Sequence, residues 1–283
     1  MTVPELTLSF SCAKRRSIVS EVMQFLLGHY CNILDSQQYT DQSDSRFFMR
    51  IHFLLEGSTP ASQLEGAFAP VAERFGISAR FSDASKKTRV LIMTSRLGPT
   101  LVDLLHRMRI GAIPMEVPLL VSNNTDCATV AASQRIPFIR LPITENLRKQ
   151  EDKLSHLVDK YNIELIVLAR YGRELPGDFC RSRLGKIINI HNGFLRRAKA
   201  GNSYNEPYER GVKLIGATAH YVTGEFDMEP IIEESVERVT HAMGPEDYVA
   251  AEREVESRTL AQAVKWHCEH RVLLNGRKTV VFS

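Results

Sequence analysis

Residues 186–194 read KIINIHNGF, an apolar strand pattern that acquires two polar side chains where the chain should be leaving a core. Ile187, Ile188 and Ile190 are β-branched and suit a pleated, buried surface. Asn189 and His191 do not. The stretch is the fifth in a series of short apolar runs, after 90–93, 117–121, 138–141 and 165–168. Helical stretches such as 101–108 and 151–161 separate them. Strands alternating with helices predict a mostly parallel, Rossmann-like sheet covered by helices. Ligands of such sheets bind beyond the carboxyl ends of the strands. That rule turns Asn189 and His191 from misplaced core residues into groups aimed at a crevice.

Upstream, residues 1–83 follow a different rhythm, βαββαβ. Residues 6–10 alternate as a strand does, Ile18, Val19, Val22, Phe25 and Leu26 recur at helical spacing, and 32–39 and 46–55 read as strands joined by the polar turn 40–45. Thr59-Pro60 opens a second helix, with Thr59 as the expected cap, and 77–81 closes the unit. The predicted organisation is a ferredoxin-like domain at 1–83, a polar linker at 84–88 and an α/β domain at 89–283.

Composition narrows the partners. The chain has 283 residues, 43% hydrophobic and 24% charged, ordinary for a globular protein with a sizeable core. A net charge of +3, with dispersed basic residues, argues against nucleic acid. No run of about 18 apolar residues suits a membrane span, and the N-terminus has no secretory pattern. Five scattered cysteines without a C-x-x-C pair point to reduced thiols, so a cytoplasmic location is expected and no metal site is read from them.

A second polar cluster follows about thirty residues after the first, within Gly216-Ala-Thr-Ala-His-Tyr-Val-Thr-Gly-Glu-Phe-Asp-Met-Glu-Pro-Ile-Ile232. Residues 218–222 read as a strand and 230–232 as the start of another, which brings Asp227 toward Asn189 and His191. The trio suits attack on a carbonyl. The Asn189 amide and a His191 imidazolium can donate to a developing oxyanion, each preorganised donor being worth about 3 kcal/mol. A carboxylate at Asp227 can hold a water and accept its proton. Taken singly, Asn189 is more often a turn residue, Asp227 a surface acid and His220 a hydrogen-bonded core histidine.

Longer motifs carry a resemblance. Asn189-Ile190-His191, the run YERGVKLIGATAHYV at 208–222 and Asp227-x-x-Pro-Ile-Ile232 resemble folate-dependent formyltransferases, and the 208–222 run is close to that of formyltetrahydrofolate deformylases. The resemblance spans nearly the whole chain. It implies an ACT domain at 1–83, including Arg46-Phe-Phe-Met-Arg50, and hydrolysis of 10-formyltetrahydrofolate to tetrahydrofolate and formate in one-carbon and purine metabolism. It also implies Asp227 as the water-orienting base, Asn189 and His191 as oxyanion stabilisers, and His220 and Asn205 as supporting residues. Tyr171, Gly172, Arg173, Leu175, Val222, Thr223 and Gly224 would cradle the folate, with no metal or other cofactor. A homo-oligomer, dimer or tetramer, through both domains is expected.

Pro99 sits where formyltransferases acting on a ribonucleotide carry a phosphate loop and removes a backbone donor, which favours water as acceptor. This chain departs from the deformylase pattern at Asn192-Gly-Phe-Leu-Arg196 (family H-S-F-L-P), at Asn205, at Glu229 (family glycine) and at Lys14-Arg-Arg-Ser17 (family D-R-P-G). The last change favours an oligomerisation role over an amino-acid sensor. The departures keep two other readings open: a folate-binding regulatory paralogue, or formyl transfer or hydrolysis on another one-carbon substrate.

Overall fold

The computed structural model describes residues 3–142, 147–192, 206–224 and 229–283. The chain forms two compact units, the first comprising residues 1–87, 269–275 and 279–283, the second residues 88–268 and 276–278.

The first unit runs β1 (Glu5–Ala13), α1 (Ile18–Gly28), β2 (Cys31–Thr40), β3 (Arg46–Leu55), α2 (Ala61–Phe75) and β4 (Ser78–Asp83). Its antiparallel sheet has the order β2-β3-β1-β4, a ferredoxin-like topology. Alternation decides the core. Leu6, Leu8, Phe10 and Cys12 of β1 and Phe47, Met49, Ile51 and Phe53 of β3 share one cluster with Val22 and Leu26 of α1 and Leu64 and Phe68 of α2. The other face of β3 carries Phe48 and Arg50, both buried. Phe48 packs with Leu273, Val280 and Phe282 from the end of the chain, while Arg50 pairs with Asp35 at 3.3 Å and donates to the Glu269 carbonyl at 3.1 Å.

Two local expectations change. Thr59 does not cap α2: its N-cap position is Pro60, in extended conformation and without a side-chain cap bond, because the ring already fixes the entry angle that a cap would secure. Ser17, which precedes α1, holds φ at +68°, the left-handed region that glycine occupies freely.

The second unit runs β5 (Thr88–Thr94), α3 (Pro99–Arg109), β6 (Met115–Ser122), α4 (Ala128–Ser133), β7 (Phe138–Arg140), α5 (Leu147–Lys160), β8 (Leu165–Leu168), α6 (Gly177–Arg181), β9 (Ile187–Asn192), α7 (Glu206–Glu209), β10 (Leu214–Tyr221), β11 (Ile231–Arg238) and α8 (Pro245–Cys268). The strands β12 (Val272–Asn275) and β13 (Lys278–Val281) follow as a separate two-stranded ribbon.

The sheet order is β11-β10-β9-β8-β5-β6-β7, parallel from β7 through β9, with β10 and β11 added antiparallel. One face is closed by Leu154 and Leu157 of α5 and Phe179 of α6 over Leu91, Met93, Leu119, Val121 and Ile166. Among the described residues no helix is long and apolar enough to cross a membrane. All five thiols are buried, and burial pushes those of Cys31 and Cys180 up to about 11, which keeps them protonated and unreactive.

Strand order reverses between β5 and β8, because the chain leaves β5 toward β6 and β7 and returns to lay β8 and β9 on its other side. The carboxyl ends of β5, β8 and β9 therefore flank the crevice that such a reversal opens.

Candidate active site

β9 does not stop at Ile190. Antiparallel pairing with β10 carries it to Asn192, with Asn189 opposite His220 and His191 opposite Thr218. Period-two alternation puts Asn189 and His191 on one face, and the same register makes His191 and His220 diagonal cross-strand neighbours. Their rings lie parallel within 4°, centroids 4.9 Å apart. His191 is exposed, while His220 is fully buried.

Hydrogen bonds fix the protons. Nδ2 of Asn189 lies 3.2 Å from Nε2 of His191. An amide nitrogen only donates, so this Nε2 accepts and the His191 proton sits on Nδ1. At His220, Nδ1 lies 3.2 Å from the Tyr221 carbonyl oxygen, which only accepts, so there Nδ1 carries the proton. Oε2 of Glu229 approaches that same nitrogen to 3.5 Å. Tyr221 is tied to α8 on the opposite face of β10, its hydroxyl 2.7 Å from Nδ1 of His267.

Among the described residues, His191, His220 and Glu229 form the one group of three whose donor atoms all lie within 4.8 Å of one another. Two parallel rings direct their in-plane lone pairs side by side, and Nδ1 of His220 already faces a carbonyl. In this arrangement the group is a stacked imidazole pair with a carboxylate at one end, and a shared ion would require the exposed His191 ring to leave the stack.

The expected folate cradle falls into distinct environments. Tyr171 is buried in the apolar cluster with Phe179, and Leu175 and Val222 pack on the same cluster, so segments 171–175 and 222–224 meet there. Gly172 and Arg173 are exposed. The Gly172 amide donates to Oγ of Ser95 at 3.0 Å, Nδ2 of Asn123 donates to the same oxygen at 3.1 Å, and Nδ2 of Asn124 donates to the Ser95 carbonyl at 2.8 Å. Ser95 thus ties together the loops after β5, β6 and β8.

Gly224 is required by contact: a Cβ there would sit 2.7 Å from Cγ of Arg181 and 3.0 Å from the Gly177 carbonyl oxygen. Thr223 lies beside it, half-buried. Asp227 and Asn205 lie outside the described residues. Sequence reasoning missed Ser95, and it gave Glu229 no partner, because a polar contact between neighbouring strands leaves no periodicity to read.

The fold and this constellation define a formyl-transfer class. The family model described as formyl transferase matches residues 88–264. A formyltetrahydrofolate deformylase of Corynebacterium sp. (strain P-1) is 40% identical over 276 residues, covering 97% of this chain and 96% of that protein. One from Bacillus subtilis (strain 168) is 40% identical over 276 residues, covering 96% and 92%. The crystal structure of a formyltetrahydrofolate deformylase from Burkholderia mallei superposes with a TM-score of 0.93 at 39% identity, over 99% of this chain and 100% of that one. The chain belongs to the formyltetrahydrofolate deformylase family.

Proposed function

We propose that the chain hydrolyses 10-formyltetrahydrofolate to tetrahydrofolate and formate. The observation that carries the reading is the Asn189–His191 pair, held side by side on β9 in a member of this family. Water adds to the formyl carbon, and Asp227 takes its proton. Negative charge gathers on the formyl oxygen, for which the Asn189 amide and the His191 imidazole are the proposed donors. The C–N10 bond then breaks as Asp227 returns its proton to N10, and the formic acid released ionises to formate in water. The segments 171–175 and 222–224, tied by Ser95, Tyr171 and Gly224, form the folate cradle.

The first unit serves as an ACT domain; its βαββαβ order and antiparallel sheet support that assignment. Ser17 in a left-handed conformation where the family pattern has glycine speaks for assembly rather than effector capture, with a homo-oligomer in the cytoplasm as the working form. No metal or second cofactor enters the scheme.

Formate release from 10-formyltetrahydrofolate by the purified chain tests the activity, run beside Asp227→Asn. The expected result is formate from the parent chain and folate binding without turnover in the variant. An Asp227→Asn chain that hydrolyses at the parent rate sinks the assignment of the base.

A further inference from the structure

The stacked histidines differ in one respect that decides their chemistry. Both could carry a proton, but two imidazolium rings face to face at 4.9 Å repel each other, so protonating one lowers the pKa of the other. Glu229 breaks the symmetry. Its carboxylate lies 3.5 Å from Nδ1 of His220, and the Tyr221 carbonyl holds a proton on that same nitrogen. His220 is fully buried, where a cation needs an adjacent anion.

His191 has the opposite surroundings: its ring is exposed and its Nε2 accepts from Asn189. Among the described residues, titratable groups on the neighbouring elements include Glu234 of β11, which accepts from Thr218 at 2.8 Å, and His267 of α8, which faces Tyr221. Asp227 joins them in the proposed reaction. Glu229 places a carboxylate directly against the buried imidazole of the pair.

We infer that Glu229 is a positioning residue which draws the positive charge onto His220 and thereby keeps its stacked neighbour His191 neutral, with the Nδ1–H tautomer that the Asn189 contact requires. The inference rests on the proposed hydrolysis only for its consequence. A neutral His191 keeps its Nε2 lone pair for the Asn189 amide, which holds the ring in place. A charged one would place a proton on Nε2 against the Asn189 amide and turn that amide away.

Two readouts on the full chain test it. In the first, imidazole nitrogen NMR follows both histidines through a pH titration, assigned with His191→Asn and His220→Asn. The expected result is that His220 titrates above His191 in the parent chain. In Glu229→Gln the His220 midpoint falls by about one pH unit or more and the His191 midpoint rises. In the second, the acid limb of the kcat–pH profile moves upward in Glu229→Gln while KM for the folate holds, and Glu229→Asp restores part of the parent profile.

Unchanged histidine midpoints in a folded Glu229→Gln chain overturn the inference. So does a fall of kcat by one factor at every pH, which is what a merely structural role gives. If the parent chain releases no formate, the proposed function fails, while the NMR titration still decides the charge assignment. Should Glu229→Gln not fold, the midpoints in Glu229→Asp decide, and values equal to the parent's count against the inference.

Discussion

Glu256 is 2% exposed on α8, and its carboxylate meets Nη1 of Arg170 at 3.0 Å just past the end of β8. Burial pushes its carboxyl up to about 7; Arg170 opposes that rise, Glu252 adds to it and Arg253 opposes it. Because the folded-state value exceeds the unfolded one, this group contributes most to stability below its ordinary value of 4.5, and that contribution is lost as pH rises through 7. A rise from 4.5 to about 7, at about 1.4 kcal/mol per pH unit, amounts to about 3 kcal/mol between the two plateaus.

Glu256→Gln keeps the shape, can still accept from Arg170 through its amide oxygen, and removes the titration. The single tryptophan, Trp266, lies on the same helix and reports its unfolding by fluorescence. Urea unfolding at intervals from pH 4 to pH 8 should show the stability of the parent chain relative to Glu256→Gln falling by about 3 kcal/mol across that range. Parallel pH dependences of the two chains would refute the reasoning, since they would mean that Glu256 carries its charge equally in the folded and unfolded states.

Three further outcomes follow from particular contacts. Asn189→Ala and His191→Asn should each lower kcat for formate release by about a hundredfold or more, the range for one preorganised donor, while equilibrium dialysis shows folate still bound. Gly224→Ala should raise KM, because its Cβ meets Arg181 and the Gly177 carbonyl, and Arg181→Ala in the same chain should recover part of the loss by removing the nearer obstacle. Ser17→Gly should stabilise the first unit by about 0.5–1 kcal/mol in thermal melts by relieving the left-handed backbone at φ +68°.

Much of the fold could be read from period and punctuation. The β8 segment at 165–168 matches its apolar run because both of its faces are buried and both ends are marked by polar residues. β9 overran the expected end because Asn192 pairs with Ala217 of β10, and backbone pairing to a neighbour leaves no mark in a strand's own side chains. α8 went unread for a related reason: Glu252, Glu256, Ser257 and Thr259 are buried alongside its apolar residues, so polar side chains fall on both faces and blur the helical period. Asn189 and His191 stood out because they interrupt an apolar run at a strand end. Glu229 stood out only as a departure from the family glycine, and its partner His220 could not be read, since a carboxylate before a strand looks like any turn acid until the fold brings the two together.

The β3 face that carries Phe48 and Arg50 gives the first unit an unusual dependence on distant sequence. Its remaining partners, Glu269, Leu273, Val280 and Phe282, are encoded after the whole of the β5–α8 stretch. The unit is discontinuous, interrupted by about 180 residues that build the other unit. The chain must close a loop through all of those residues before the final layer arrives, so the contact that buries Phe48 has a very long sequence separation and a corresponding closure cost. Until then an aromatic side chain and a guanidinium on β3 stay open to water, and lesions in residues 269–283 become defects of the N-terminal sheet.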